Sequence, residues 1–431
     1  MQRKINDVLV AWKNKKSGRM PLLMHGARQV GKTYILRDFG SRHYKNTVYV
    51  NLESNLAVAS YFAEDIRPER LLRYLEAYAG HAITAGETLV VFDEIQTCER
   101  ALTALKYFCE ETPQQHVVAA GSLLGVAINR EKFSFPVGKV ESVMLFPLDF
   151  EEFLLANGEG ILCHEIRECY ENMQPMPAPL HLKAIDYYRL YLVTGGMPAA
   201  INEFLATGKL ITVPDVQNRI LNDYLADMAK YASNSDSVKI RACYNSVPAQ
   251  LAKENKKFQY KIVQRGGSAT IFGASIEWLN FAGVVLKCQK IQHATEPVSV
   301  YADLSSFKLY MGDVGLLTMK SGISQQTVLS GEPNLFMGAV AENYVAQTLA
   351  GKGYQLYYWC SEHTAELDFV LQKGSAIIGI EVKKAQQIKS KSLNVFIQKY
   401  QPSCSIKLSE KNFAVTDSNV RLVPLYAAFC I

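Results

Sequence analysis

PLLMHGARQVGKTYIL, residues 21–36, contains the pattern G-x-x-x-x-G-K-[ST] at Gly26–Thr33, and the N-terminal third is read from it. Gly26 and Gly31 let the backbone curl, so that the N–H groups of Ala27, Arg28, Gln29 and Val30 point inward at phosphate oxygens. A helix beginning near Lys32 adds the positive end of its dipole. Lys32 offers a mobile positive charge to β- and γ-phosphates, and Thr33 offers a hydroxyl to magnesium. A plain strand–turn–helix has no need of the Lys-Thr ending. The expected ligands are therefore ATP and Mg2+.

The surrounding sequence suits that loop. MPLLMHG (20–26), NTVYVNLE (46–53), ETLVVFDE (87–94) and HVVAAGS (116–122) are short apolar runs separated by stretches of helical spacing. Runs without polar alternation fit strands buried on both faces, and strands alternating with helices imply a parallel sheet flanked by helices. ETLVVFDEIQ ends its strand with two carboxylates at the edge where open α/β sheets bind ligands. Asp93 is expected to hold magnesium through its water shell, and Glu94 to polarise the attacking water. Ser122, ending the next strand, is read either as a γ-phosphate sensor or as part of an ordinary Gly-Ser turn.

With 431 residues the chain is expected to form two or three domains. Apolar residues at 48% and charged residues at 20% are ordinary for a globular protein and exclude wholesale disorder. A net charge of +5 is too small to mark a nucleic-acid binder by itself. Nine scattered cysteines without a CxxC pair argue against a disulfide framework or zinc knuckle and fit a reducing, cytoplasmic location. The N-terminal helix, with Ile5, Val8, Leu9 and Trp12 on one face, lacks the apolar core of a signal peptide, and no membrane segment is expected.

Four sections follow: an ATPase domain (1–150), a helical section (151–235), a winged helix-turn-helix-like section (236–325) and a C-terminal α/β domain (330–431). In the third, KFQYKIVQRGGSATIFGASIEWLNFAGVVLKCQKI reads as helix, Gly-Gly turn, helix and strand. Around its start, Lys253, Lys256, Lys257, Lys261 and Arg265 interleave with Phe258 and Tyr260. This suits double-stranded DNA, or else a solvated face used for protein contacts. In the fourth section, AELDFVLQ and SAIIGIEVKK read as a hairpin joined at Lys373–Gly374. The strand period puts Glu381 and Lys383 on one face, with Asp368 on the partner strand and Glu342 on the preceding helix. Three carboxylates can hold magnesium for attack on a phosphodiester, although Glu-x-Lys is also common on a solvated strand with cross-strand ion pairs. Lys384, Lys389 and Lys391 would border such a site.

GARQVGKT, VVFDEIQ, AAGSLLG, FPLDFEEF, YLVTGGMPAAI, KLYMGDVGLL, GAVAENYVAQTL, ELDFVLQ and GIEVKKA together resemble a bacterial and archaeal family of AAA-superfamily P-loop ATPases. Its C-terminal domain of unknown function is related to the PD-(D/E)XK nucleases. The resemblance implies an α/β P-loop NTPase domain and a C-terminal restriction-endonuclease-like α/β domain. It places ATPase activity at Lys32, Thr33, Asp93 and Glu94, and a nuclease-like site at Glu342, Asp368, Glu381 and Lys383. A homo-oligomer is one arrangement it suggests, since AAA relatives often form rings. Relatives usually carry Gly-Arg before the FPLDFEEF stretch. Here the pair is Gly138–Lys139, which keeps the charge but loses the bidentate fork, and Arg130 is the nearby alternative. Two functions follow: an ATPase acting on or near DNA, or a nucleotide-switched protein-binding module whose nuclease-like domain is inactive.

Overall fold

The computed structural model describes residues 1–122, 136–232, 234–361, 365–383 and 391–431. Arg130, Lys384 and Lys389 lie outside these. The chain divides into two compact units: residues 2–146 with 281–283, and the remainder.

The smaller unit is a five-stranded parallel sheet in the order β2-β3-β4-β1-β5, formed by β1 (Leu22–His25), β2 (Asn46–Asn51), β3 (Thr88–Asp93), β4 (His116–Gly121) and β5 (Glu141–Met144). Helices α1 (Ile5–Lys13), α2 (Lys32–His43), α3 (Leu56–Glu64), α4 (Pro68–Ala79) and α5 (Glu99–Glu111) accompany it. β3 and β4 are buried at every residue, which is why their sequences show no polar alternation. β5 carries no such signal: ESVM is half exposed at the sheet edge, and only its ladder to β1 identifies it as a strand. In α1, Ile5, Leu9 and Trp12 are buried, but Val8 is exposed on the margin of that stripe.

The larger unit begins with helices: Phe150–Ala156, Gly160–Asn172, Ala178–Thr194, Pro198–Thr207, Val213–Tyr231 and Asn234–Leu251. A mixed eight-stranded sheet follows, in the order β12-β13-β11-β10-β9-β8-β6-β7. Its strands are β6 (Val285–Ile291), β7 (Ala302–Met311), β8 (Tyr357–Cys360), β9 (Glu366–Lys373), β10 (Ala376–Val382), β11 (Cys404–Ser409), β12 (Ala414–Val415) and β13 (Val420–Pro424). The middle section does run helix (Tyr260–Val263), turn, helix (Ala269–Phe281) and antiparallel hairpin (β6–β7). That hairpin is continuous with the C-terminal sheet, because β6 pairs in parallel with β8. Among the described residues no helix is long and apolar enough to cross a membrane, and all nine cysteines are free thiols.

The two stretches with no generic fold explanation, YLVTGGMP (191–198) and KLYMGDVGLL (308–317), lock into each other. Buried Asp313 caps the helix Val314–Ser321 by accepting from Leu316 N (3.0 Å), and it also accepts from Gly196 N (2.7 Å). A Cβ on Gly195 (φ 72°) would strike the Asp313 carboxylate, and one on Gly315 would meet Gly195 N at 2.5 Å. The helix Met337–Gly351 braces the joint. Asn343 brackets Met311 (2.7 and 3.0 Å), and Gln347 accepts from Val314 N (2.8 Å) while donating to the Tyr191 hydroxyl (3.0 Å). Burial pushes the Asp313 carboxyl up to about 6. Asp313→Ala leaves buried N–H groups without an acceptor and removes a cap, so it is expected to cost about 2–4 kcal/mol in denaturant unfolding. A change below about 1 kcal/mol would show that the joint is held by packing alone.

Candidate functional site

The loop after β1 has the predicted curl. Gly26 (φ 148°), Gln29 (φ 66°) and Gly31 (φ 97°) all have positive φ. A Cβ on Gly26 would overlap the Leu145 carbonyl oxygen, so only glycine fits there. α2 starts at Lys32 with Gly31 as its N-cap, which directs its free N–H groups into the loop. Buried Arg3 holds the loop from behind, donating to Val30 O (3.2 Å) and Phe146 O (2.7 Å). The sequence gives no local sign of this role for Arg3. The Lys32 ammonium donates to two carbonyls of the loop itself, Gly26 O (2.9 Å) and Ala27 O (2.8 Å).

β4 lies between β1 and β3, and it ends Ala119-Ala120-Gly121. Those small residues leave room for groups from the two flanking strands to meet. Thr33 Oγ1 donates to Asp93 Oδ2 at 2.6 Å, and Tyr49 of β2 donates to the same oxygen at 2.7 Å. Tyr49 was not legible in the sequence; its ring carries the Arg37 guanidinium 4.0 Å from its centroid. Glu94 follows in left-handed backbone (φ 53°), uncommon for a residue with a side chain. Its carboxylate accepts from Gln96 Nε2 at 2.6 Å, and burial raises its pKa. Ser122 is buried directly after β4. Thr33 and Asp93 supply hydroxyl and carboxylate oxygens, the hard donors that magnesium takes. Lys139 is ion-paired to Glu110 at 2.9 Å, two residues before β5 and at the edge of the sheet opposite the loop. It is therefore not placed to act on this chain's own phosphate loop.

In the larger unit the structure brings the four expected residues together and adds two lysines. Asp368 of β9 accepts from Val382 N at 2.7 Å, and Lys383 pairs with Glu381 at 3.2 Å. Lys256 reaches Glu342, so it is not part of an outward-facing basic stripe. Lys308 of β7, fully buried, lies 2.5 Å from Glu366 and 3.8 Å from Glu342, and the Tyr310 hydroxyl donates to Glu342 at 3.3 Å. Phe258 is also buried, stacked on Phe307 with 5.4 Å between centroids, so it is a core residue and not a base-stacking platform. Burial would raise the Glu342 pKa, but Lys308 and Lys256 hold it low. Burial, then Glu342, push Asp368 up to about 7. Among the described residues no group of three or more His, Cys, Asp and Glu is arranged to hold a metal.

Strand order, loop and acidic strand end define residues 18–154 as a P-loop nucleotide-binding domain, and these residues match the family model of an AAA domain. Residues 185–327 and 337–428 match two further models, each a domain of unknown function (DUF8612 and DUF4143). Uncharacterized proteins of Mycobacterium tuberculosis and Mycobacterium bovis are each 35% identical over 79 residues; that stretch is 18% of this chain and 18% of each relative's length. Among solved structures, the chain is similar to a Walker-type ATPase of Pyrococcus abyssi (TM-score 0.46, 14% identity, 74% of this chain and 95% of that one). It is also similar to the Aeropyrum pernix ORC1 protein in complex with DNA (TM-score 0.31, 15% identity, 77% and 91%).

The Lys308 ammonium is the countercharge for Glu342 and Glu366. Lys308→Met is expected to destabilise the larger unit by about 1–3 kcal/mol, because buried Glu342 keeps only Lys256 as a countercharge and half-buried Glu366 loses its partner. Unfolding at the wild-type denaturant midpoint would mean that those carboxyls simply take up protons.

Proposed function

We propose that the chain binds Mg–ATP at Gly26–Thr33 and hydrolyses it. The observation that carries this reading is the 2.6 Å contact between Thr33 and Asp93, which sets two hard oxygen donors side by side next to the phosphate loop. Magnesium, when bound there, would neutralise charge on the phosphate oxygens. The backbone N–H groups of residues 27–31 and the α2 N-terminus bind the phosphates, and Lys32 exchanges its two loop carbonyls for phosphate oxygens. Glu94 orients the attacking water and takes its proton. Ser122, directly after β4, would hydrogen-bond the γ-phosphate or the water.

Lys32→Ala is expected to weaken ATP binding, measured by calorimetry. Glu94→Gln is expected to keep binding and lower steady-state phosphate release by roughly 100-fold or more. Wild-type turnover in Glu94→Gln would assign the water to another group.

For the larger unit we propose a DNA-contacting module whose nuclease-like domain does not cleave, which joins the DNA part of the first function to the inactive nuclease-like domain of the second. Lys256 and Lys308 support it, because both pair with Glu342, one of the three carboxylates that a divalent ion would need. Lys253, Lys257, Lys261 and Arg265 remain exposed and suit contact with a DNA backbone. The helix Ala269–Phe281 carries no lysine or arginine, so these contacts would not run along it. Duplex DNA incubated with the protein, Mg2+ and ATP is expected to stay intact, with an affinity that falls as salt rises. Cleavage that is abolished by Asp368→Ala would overturn the non-cleaving reading.

A further inference from the structure

Glu94 is the last residue before a short turn, Ile95–Thr97, and its backbone is left-handed. Nothing in that turn needs the side chain of Gln96. The turn is closed by Thr97 N on Glu94 O (3.0 Å), by the Thr97 hydroxyl on the same oxygen (2.8 Å) and by Cys98 N on Ile95 O (3.0 Å). Ile95, fully buried, anchors it in the apolar core. Gln96 nevertheless turns its carboxamide back and donates to Glu94 Oε2 at 2.6 Å. The other end of the amide, Oε1, is buried and accepts no hydrogen bond from the described residues. The side chain is only 9% exposed.

A buried amide oxygen without a donor is a cost that folding alone would remove by placing an apolar residue there. Such departures from local consistency are expected where a site has a task. The remaining polar end of Gln96 is committed to one partner, the carboxylate that hydrolysis depends on. Amide orientation is fixed by chemistry: with the oxygen turned toward Glu94, two acceptors would face each other.

We propose that Gln96 is a positioning residue for ATP hydrolysis: its N–H clamps one oxygen of Glu94, so that the other is aimed at the attacking water. The inference rests on the hydrolysis reading above. It accounts for the spacing within Asp93-Glu94-Ile95-Gln96. Asp93 reaches Thr33, Glu94 serves the water, Ile95 fixes the turn and Gln96 sets the direction of Glu94.

The test uses the full chain and two variants of similar size, Gln96→Met, which removes the donor, and Gln96→Glu, which places a second carboxylate against the first. Steady-state phosphate release gives kcat, calorimetry with a non-hydrolysable ATP analogue gives affinity, and thermal melts report folding. A misdirected Glu94 is expected to lower kcat roughly 100-fold in both variants, with affinity and melting temperature near wild type. Wild-type kcat in Gln96→Met overturns the proposal while leaving the hydrolysis reading intact. Parallel losses of kcat, affinity and melting temperature also overturn it, since they mark a merely structural residue. A wild-type protein that binds the analogue but releases no phosphate sinks the hydrolysis reading and this inference together.

Discussion

A side chain on the helix that follows one strand can meet a carboxylate at the end of a strand two positions away only if the strand between them ends in small residues. The contact between Thr33 and Asp93 depends on that constraint, and β4 meets it by ending Ala-Ala-Gly. The ladder sets Phe92 level with Ala119 and Met24 level with Ala120, so the acidic strand end and the phosphate loop emerge at one height over small residues. The other features of the site follow from that meeting. Gly26 lies against the Leu145 carbonyl because the loop must pass close to β5 before it curls. Arg3 fills the back of the loop, and Tyr49 adds a second donor to Asp93 from β2. Each support comes from a different element, so the geometry belongs to the whole sheet.

This explains which parts were legible. The phosphate loop could be read because its chemistry is local: eight consecutive residues contain the turn, the cation and the hydroxyl. The four apolar strands could be read because strands buried on both faces lose polar alternation. β5 could not, because ESVM lies half exposed at the edge. Arg3 and Tyr49 could not, because their partners lie far along the chain and nothing in their neighbourhood marks them. Asp313 is the clearest case. Its partner Gly196 is 117 residues away, and the motif that contains each was distinctive without being explicable. Only the joint shows why Gly195, Gly315 and Asp313 must occur together.

In the C-terminal cluster, sequence spacing grouped residues that do lie near one another but left out two lysines among them. Strand periodicity placed Glu381 with Lys383 and opposed Asp368 correctly, since the register pairs Ile380 with Phe369. It could not supply Lys308, which comes from a strand at the far edge of the same sheet, or Lys256, which precedes the hairpin. A fully buried ammonium between carboxylates changes the chemistry of the group. Together with Lys256 it holds the Glu342 carboxyl low, while burial and the neighbouring Glu342 raise Asp368. Removing one partner of such a cluster can cost more than its net contribution to stability suggests, because buried Glu342 is then left with fewer countercharges.

In the smaller unit the loop is already shaped. The Lys32 ammonium bridges Gly26 O and Ala27 O, so the curl is maintained by the same group that will face the phosphates. On the proposed reading, phosphate would replace carbonyls the lysine has already found and would not have to order a slack loop. Preorganisation of this kind lowers the entropy lost on binding. Left-handed backbone recurs on both sides of the site, at Gln29 in the loop and at Glu94, most of whose carboxyl is buried. Strain is tolerable at a residue whose neighbours over-determine it. Ile95 in the core, the closed turn after it and the Gln96 amide supply that surplus, and they do so at the carboxylate to which the proposed reading gives the attacking water.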